Sequence, residues 1–111
     1  MRGASALGKA VGETPGHYRV IVVWEPVLAT DLGPPTAAVR RTLDDPRVRQ
    51  FWDPDRAVSS AMIRAWHLED DVVWDVVQVH PPGTRWSARP RPAWSDGPVV
   101  RTVRELKRRL R

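Results

Sequence analysis

The sequence predicts an α/β domain with a central mixed sheet of about four strands flanked by about three helices. Three observations carry that prediction. The chain has 111 residues, enough for one small domain with a core of its own. Residues 20–24, Val-Ile-Val-Val-Trp, are apolar on both faces of an extended chain, as a strand covered on both sides must be. Segments of this kind alternate with segments whose apolar residues recur every three or four positions, the mark of helices laid on a sheet.

Residues 1–16 (MRGASALGKAVGETPG) are small, glycine-rich and without apolar period, so they are expected to form a disordered lead, with one domain over 17–111. Tyr18 to Trp24 is the central strand, ended by Pro26, which cannot donate to a ladder. Gly33, Pro34 and Pro35 lead into a short helix over Thr36 to Leu43, stopped by Asp45 and Pro46. Arg47 to Trp52 reads as a second strand closer to an edge. Asp53 and Pro54 are an N-cap and first helical residue for a helix whose stripe is Val58, Met62, Ala65 and Trp66. Val72 to His80 is a further apolar strand, followed by a proline-rich loop from Pro81 to Pro92 and a short strand near Ala93 to Ser95 or Pro98 to Val100. Val99, Val103, Leu106 and Leu110 then mark an amphipathic closing helix.

Composition removes several chemistries. Without cysteine the chain has no thiolate nucleophile, no disulfide and no cysteine-based metal site. His17, His67 and His80 lack metal-ligand spacing, and Ser59 and Ser60 sit outside any GxSxG context. There is no glycine-rich phosphate loop, so no cofactor and no metal are expected. The apolar runs are far shorter than the roughly 20 residues of a spanning helix, and residues 1–16 lack the apolar core of a secretory signal. The expectation is a cytoplasmic protein with no membrane partner.

The net charge of +5 is confined to one end. Residues 101–111 carry Arg101, Arg104, Lys107, Arg108, Arg109 and Arg111 against Glu105, while the preceding residues hold 12 basic and 12 acidic groups, which cancel. The high charge therefore describes the closing helix and not a basic surface at large. That helix is either a solvated cationic face that complements its own dipole or a row of contacts to phosphates.

Candidate binding residues fall in three places. Trp24, Glu25 and Asp31 mark the end of the central strand and its turn, where open α/β folds tend to bind ligands; Asp31 serves equally as a turn cap. Trp86 lies in PPGTRWSARPRPAW, where Arg85, Arg89 and Arg91 interleave with aromatics, a pattern that stacks bases or engages a partner protein, or ties the loop to the core. Trp24, Trp52, Trp66 and Trp74 are read as core. Arg101, Arg104 and Arg108 stand for the closing helix. Asp75, inside an apolar strand, needs a partner such as Arg19 or Arg49 if it is buried; a position at the rim of the sheet explains it equally.

The order strand, helix, strand, helix, hairpin, helix over residues 17–110 resembles the thioredoxin-like fold. If Arg19 to Trp24 is laid on the strand that leads into that family's CxxC motif, its two cysteine positions fall near Leu28 and Asp31. The stretch Leu68 to Val73 also lacks the family's proline. The resemblance thus implies a redox-inactive relative: a non-catalytic binding or interaction module, with a protein as the expected partner. The alternative is nucleic-acid or polyanion binding through the closing helix and the Arg/Trp loop 85–94.

Overall fold

The computed structural model describes residues 2–26, 33–69, 73–86 and 91–111. Its elements are α1 (Arg2–Gly12), β1 (Val20–Trp24), α2 (Ala37–Arg41), β2 (Val48–Trp52), α3 (Ala57–Trp66), β3 (Val77–Val79), β4 (Trp94–Asp96) and α4 (Val99–Arg109). Strands β1 and β2 pair in parallel, Val20 with Val48 through Trp24 with Trp52. Strands β3 and β4 pair antiparallel, Val77 with Asp96 and Val79 with Trp94. The two pairs are separate sheets. The α/β class stands, but the central four-stranded sheet does not form among the described residues, and there are four helices where about three are expected.

The split has a local cause. Of the strand expected over Val72 to His80, only Val77–Val79 is extended and paired. Asp75 takes φ 50, the left-handed region, and breaks the strand before β3 begins. Asp75 is exposed, so it needs no arginine partner, and its Oδ1 accepts the Val99 N–H at 3.0 Å at the start of α4. Val72 lies outside the described residues. β1 also departs from expectation, since Ile21 is 67% exposed and no residue of the strand is fully buried. A strand apolar on both faces has here one strand beside it, and one face of its outer half is open.

The expectation of a disordered lead meets a second correction. Arg2–Gly12 is helical, and Ala10 and Val11 are completely buried. The register of α1 against α4 is parallel. A Cβ at Gly3 would meet the Val99 side chain at 3.4 Å, and Lys107 Nζ sits 2.7 Å from Glu13 Oε2 at the other end. Small residues in 1–16 are what permit this close approach, so the composition that suggested disorder is the composition of a packed helix face. The core accordingly lies between α1 and α4, where Ala10, Val11, Val99, Thr102 and Leu106 are buried, with Leu43 and Trp66 beyond them.

Parallel neighbours bring two negative helix ends together, and cations meet them. Arg47, just before β2, donates from Nη2 to the Val11 carbonyl (2.8 Å) and from Nη1 to the Thr14 carbonyl (2.9 Å). Its Nε and Nη2 also donate to Asp45 at 3.0 Å each, and its guanidinium lies 4.4 Å from the Tyr18 ring centre. The Tyr18 hydroxyl donates to the Thr14 carbonyl. The Arg47 side-chain hydrogen bond holds the Asp45 carboxyl below its usual value. One side chain thus joins the end of α1, the turn after α2 and β2. Arg47→Ala is expected to lower the melting midpoint by on the order of 10 °C by circular dichroism; Arg49→Ala on the exposed face of β2 is expected to leave it unchanged.

The remaining helices follow their local signals. Thr36 caps α2, its Oγ1 accepting the Val39 N–H at 3.3 Å. Asp53 acts one turn earlier than a simple N-cap: α3 begins at Ala57, and the Asp53 carboxylate accepts from the Ala57 and Val58 N–H groups at 3.1 and 2.9 Å. α3 ends in left-handed His67 (φ 55), with the Leu68 N–H returned to the Ile63 carbonyl at 3.1 Å.

Candidate functional site

The end of β1 assembles a polar cluster of two half-buried carboxylates around the buried Ser59. Continuing the β1–β2 register one step past Trp24 and Trp52 sets Glu25 beside Asp53. Asp53 is taken up by the first two amides of α3, and Glu25 reaches the next one, with Oε2 accepting the Ser59 N–H at 3.4 Å. Two carboxylates thereby meet three successive N–H groups at the positive end of one helix.

Ser59 completes the cluster. It is 1% exposed, and its Oγ lies 2.5 Å from Glu25 Oε1 and 3.0 Å from the Val73 carbonyl, while the Val73 N–H donates to it at 3.2 Å. A hydroxyl has one proton to donate. When Glu25 is ionised, Ser59 donates to it and the Val73 carbonyl loses its donor. When Glu25 is protonated, Glu25 donates to Ser59 and Ser59 donates to Val73, so every group is satisfied. Burial raises the Glu25 pKa above 4.5, and the neighbouring Asp53 pushes the same way. Burial also works to raise Asp53, but the N–H groups of Val58 and Ala57 outweigh it and hold that carboxyl below 3.8.

This cluster joins β1, α3 and the segment before β3. Ser59 is sealed from any substrate. A groove of about 350 Å³ is lined by Trp66, Trp74, Val76 and Arg91, and a second concavity by α2 and β2; Glu25 and Asp53 line neither. Trp24 is likewise engaged inward, its Nε1 donating to Gln50 Oε1 at 2.9 Å while Gln50 Nε2 donates to the Arg40 carbonyl. Asp31, with Leu28 and Thr30, lies outside the described residues. Among the described residues no group of three His, Cys, Asp or Glu side chains could hold a metal ion.

The aromatic expectations divide. Trp66 is buried at 8% exposure, whereas Trp74 is 60% exposed and is no core residue. Trp86, 43% exposed, stands edge-on to Trp66 with ring centres 6.3 Å apart, which ties that part of the loop to α3. Trp94 is half-buried on β4 beneath the Arg109 guanidinium, 5.2 Å from its ring centre. His80 is half-buried against Gln78 Oε1 at 3.1 Å, and desolvation lowers its pKa.

The cations of α4 sort by direction. Val99, Thr102 and Leu106 are buried on one side. Lys107 is tied to Glu13, and Arg109 to Glu105 at 2.9 Å and to Trp94. Arg101, Arg104 and Arg108 recur at i, i+3 and i+7, within an arc of about 60° opposite the buried side at 3.6 residues per turn. All three are exposed, as is Arg111 beyond the helix. Arg108 makes one contact with Glu105 at 3.2 Å while 72% exposed; no carboxylate lies within ion-pair distance of Arg101 or Arg104 among the described residues.

Sequence reasoning placed Trp24, Glu25, Trp86 and the arginines on their elements. It placed Asp53 at the start of α3, where its carboxylate takes the first two amides, but missed Arg47 and Ser59 as residues that hold the fold's joints. Ser59 had a legible signal, since Ser59, Ile63 and Trp66 share one helix face by their spacing. For Arg47 only the Asp45 contact, two residues away, was within reach of the sequence; the carbonyls it binds at the end of α1 lie more than thirty positions away. No protein-family model, curated protein or solved structure matches the chain.

Proposed function

We propose that this domain is a non-catalytic binding module that engages a polyanion, most directly a nucleic-acid backbone, through the outward arginines of α4. The observation that carries the reading is their placement: Arg101, Arg104 and Arg108 form an exposed row on one side of α4, and among the described residues only Arg108 of the three meets a carboxylate, Glu105, which it shares with Arg109, while Lys107 is paired with Glu13. Their positions span about 10 Å of helix at 1.5 Å per residue, a length that several phosphates of one strand occupy. The helix is anchored by its opposite face, so the row is presented on a rigid support.

A thioredoxin-like scaffold belongs to the same proposal. It is supported by the parallel β1–α2–β2 unit, the helix α3, the antiparallel pair β3–β4 and the closing α4, in that order. On such a scaffold this cysteine-free chain brings no thiol chemistry of its own, and Ser59 and the carboxylates beside it serve the frame.

The test is fluorescence anisotropy with a labelled duplex and with heparin across a salt series. Three phosphate contacts predict a log K against log salt slope of about −2.7 on duplex DNA. Replacing Arg101, Arg104 and Arg108 together by Glu is expected to reduce affinity at least tenfold, with the far-UV spectrum unchanged. Affinity that ignores salt, or that survives the triple replacement, overturns the reading.

A further inference from the structure

We propose that the polyanion engaged by this domain is single-stranded nucleic acid, and that one face of the β1–β2 pair receives its bases, Phe51 stacking on one of them while Arg49 and Arg19 hold the backbone; this rests on the arginine row of α4 binding a polyanion. The two faces of the pair differ. Trp24 and Gln50 share one face, where they bond to each other and Gln50 reaches the Arg40 carbonyl of α2. By alternation Ile21, Arg49 and Phe51 share the other. In the parallel register Ile21 stands beside Arg49, and Val23 beside Phe51. The openness of this face is measured on the side chains themselves: Ile21 is 67% exposed, Phe51 is 52% exposed, and Arg49 is exposed.

The composition of that face selects the occupant. Phe51 is the chain's single phenylalanine, and it stands on a hydrogen-bonded strand instead of a loop. Aromatic rings stack unpaired bases of any sequence, and cations beside them take the phosphates. Arg49 lies two residues from Phe51 on the same face, about 6.6 Å along the strand. Arg19, exposed one residue ahead of β1, falls on that face by alternation. At the far end of the strands Glu25 and Asp53 are taken up by amides of α3, so the backbone lies towards Arg19 and the base towards Phe51. A duplex keeps its base faces stacked on each other and cannot use the ring. An apolar protein surface would have to desolvate both guanidinium groups unpaired.

The end of α4 leads to this face. A Cβ at Gly16 would lie 3.6 Å from the Leu110 carbonyl oxygen, so the last turn of the closing helix rests against the chain just before β1. Arg19 follows Gly16 by three residues, a reach of at most about 11 Å. The exposed row Arg101, Arg104, Arg108 and Arg111 therefore ends beside the segment that carries Arg19 to Arg49 and Phe51. One strand following the row has a cation to meet where the helix stops and an aromatic ring beyond it.

Fluorescence anisotropy with three labelled probes of one length tests this: a single-stranded DNA of mixed sequence, the same strand made abasic at its central positions, and the duplex. The native protein is expected to bind the single strand about tenfold more tightly than the abasic strand. Phe51→Leu keeps the apolar bulk and loses the ring. It is expected to weaken the single strand about tenfold and to leave the abasic strand and the duplex unchanged, while Phe51→Tyr retains the native affinity. Arg49→Ala is expected to reduce the magnitude of the log K against log salt slope on the single strand by about 0.7. Equal affinity for the single and abasic strands, or a Phe51→Leu protein that binds all three probes as the native one does or loses all three alike, overturns the proposal. The α4 row then still stands if replacing Arg101, Arg104 and Arg108 by Glu weakens the duplex. Binding of every probe that survives the triple replacement overturns both. Self-association by sedimentation velocity that Phe51→Leu abolishes, with no preference for the single strand, assigns the face to a second copy and overturns the proposal as well.

Discussion

Gly8→Ala destabilises the protein by about 2 kcal/mol or more, whereas Gly12→Ala four residues on leaves it unchanged or raises its stability by up to about 1 kcal/mol. In an isolated helix both substitutions would help, because glycine costs a helix about 1 kcal/mol relative to alanine. The fold reverses the sign at one of them. A Cβ at Gly8 would overlap the carbonyl oxygen of Thr42 and sit 3.7 Å from the Leu43 side chain, while at Gly12 it meets nothing within 4 Å. The obstacle at Gly8 is backbone, held in a turn by hydrogen bonds from the Thr42 and Leu43 N–H groups to Val39 and Arg40, so it cannot swing aside. Chemical denaturation of the two variants measures the difference. Equal shifts in the same direction would mean that α1 does not pack on that turn.

Ser59→Ala is expected to cost about 2–3 kcal/mol, because it strips donors and acceptors from three buried groups and supplies none. Glu25 loses its hydroxyl partner, and the Val73 N–H and carbonyl lose theirs. A companion change works in the opposite direction. Because Glu25 is raised above 4.5 in the folded chain, the stability it contributes is present at acid pH, where both states hold the proton. It is lost as pH rises through the raised folded value. Glu25→Gln keeps a donor for Ser59 and an acceptor for its N–H without the charge. It is therefore expected to stabilise the protein at pH 7, with the gain shrinking towards zero as pH falls below 4.5. Unfolding midpoints of both proteins across that range test this, and a gain independent of pH would show that ionisation of Glu25 is not the cause.

The α/β class, the positions of β1, β2, α2, α3 and α4, and the exclusion of thiol chemistry were legible in the residues, since they rest on local period, proline placement and the absence of cysteine. Apolar period also placed α4 and divided its buried side from its arginines. Three things lay beyond it. The helix of residues 2–12 exists because α4 and the Thr42 turn receive its small residues, which local composition reads as disorder. The strand before β3 stops at Asp75, whose carboxylate goes to the first turn of α4. Arg47 and Ser59 act through partners from distant segments, and no window of sequence contains both ends of such a contact. The chain by itself therefore determined which segments form helix or strand and which chemistry is absent. Only the tertiary structure decided which faces are covered, because burial depends on the neighbour that arrives and not on the segment that waits for it.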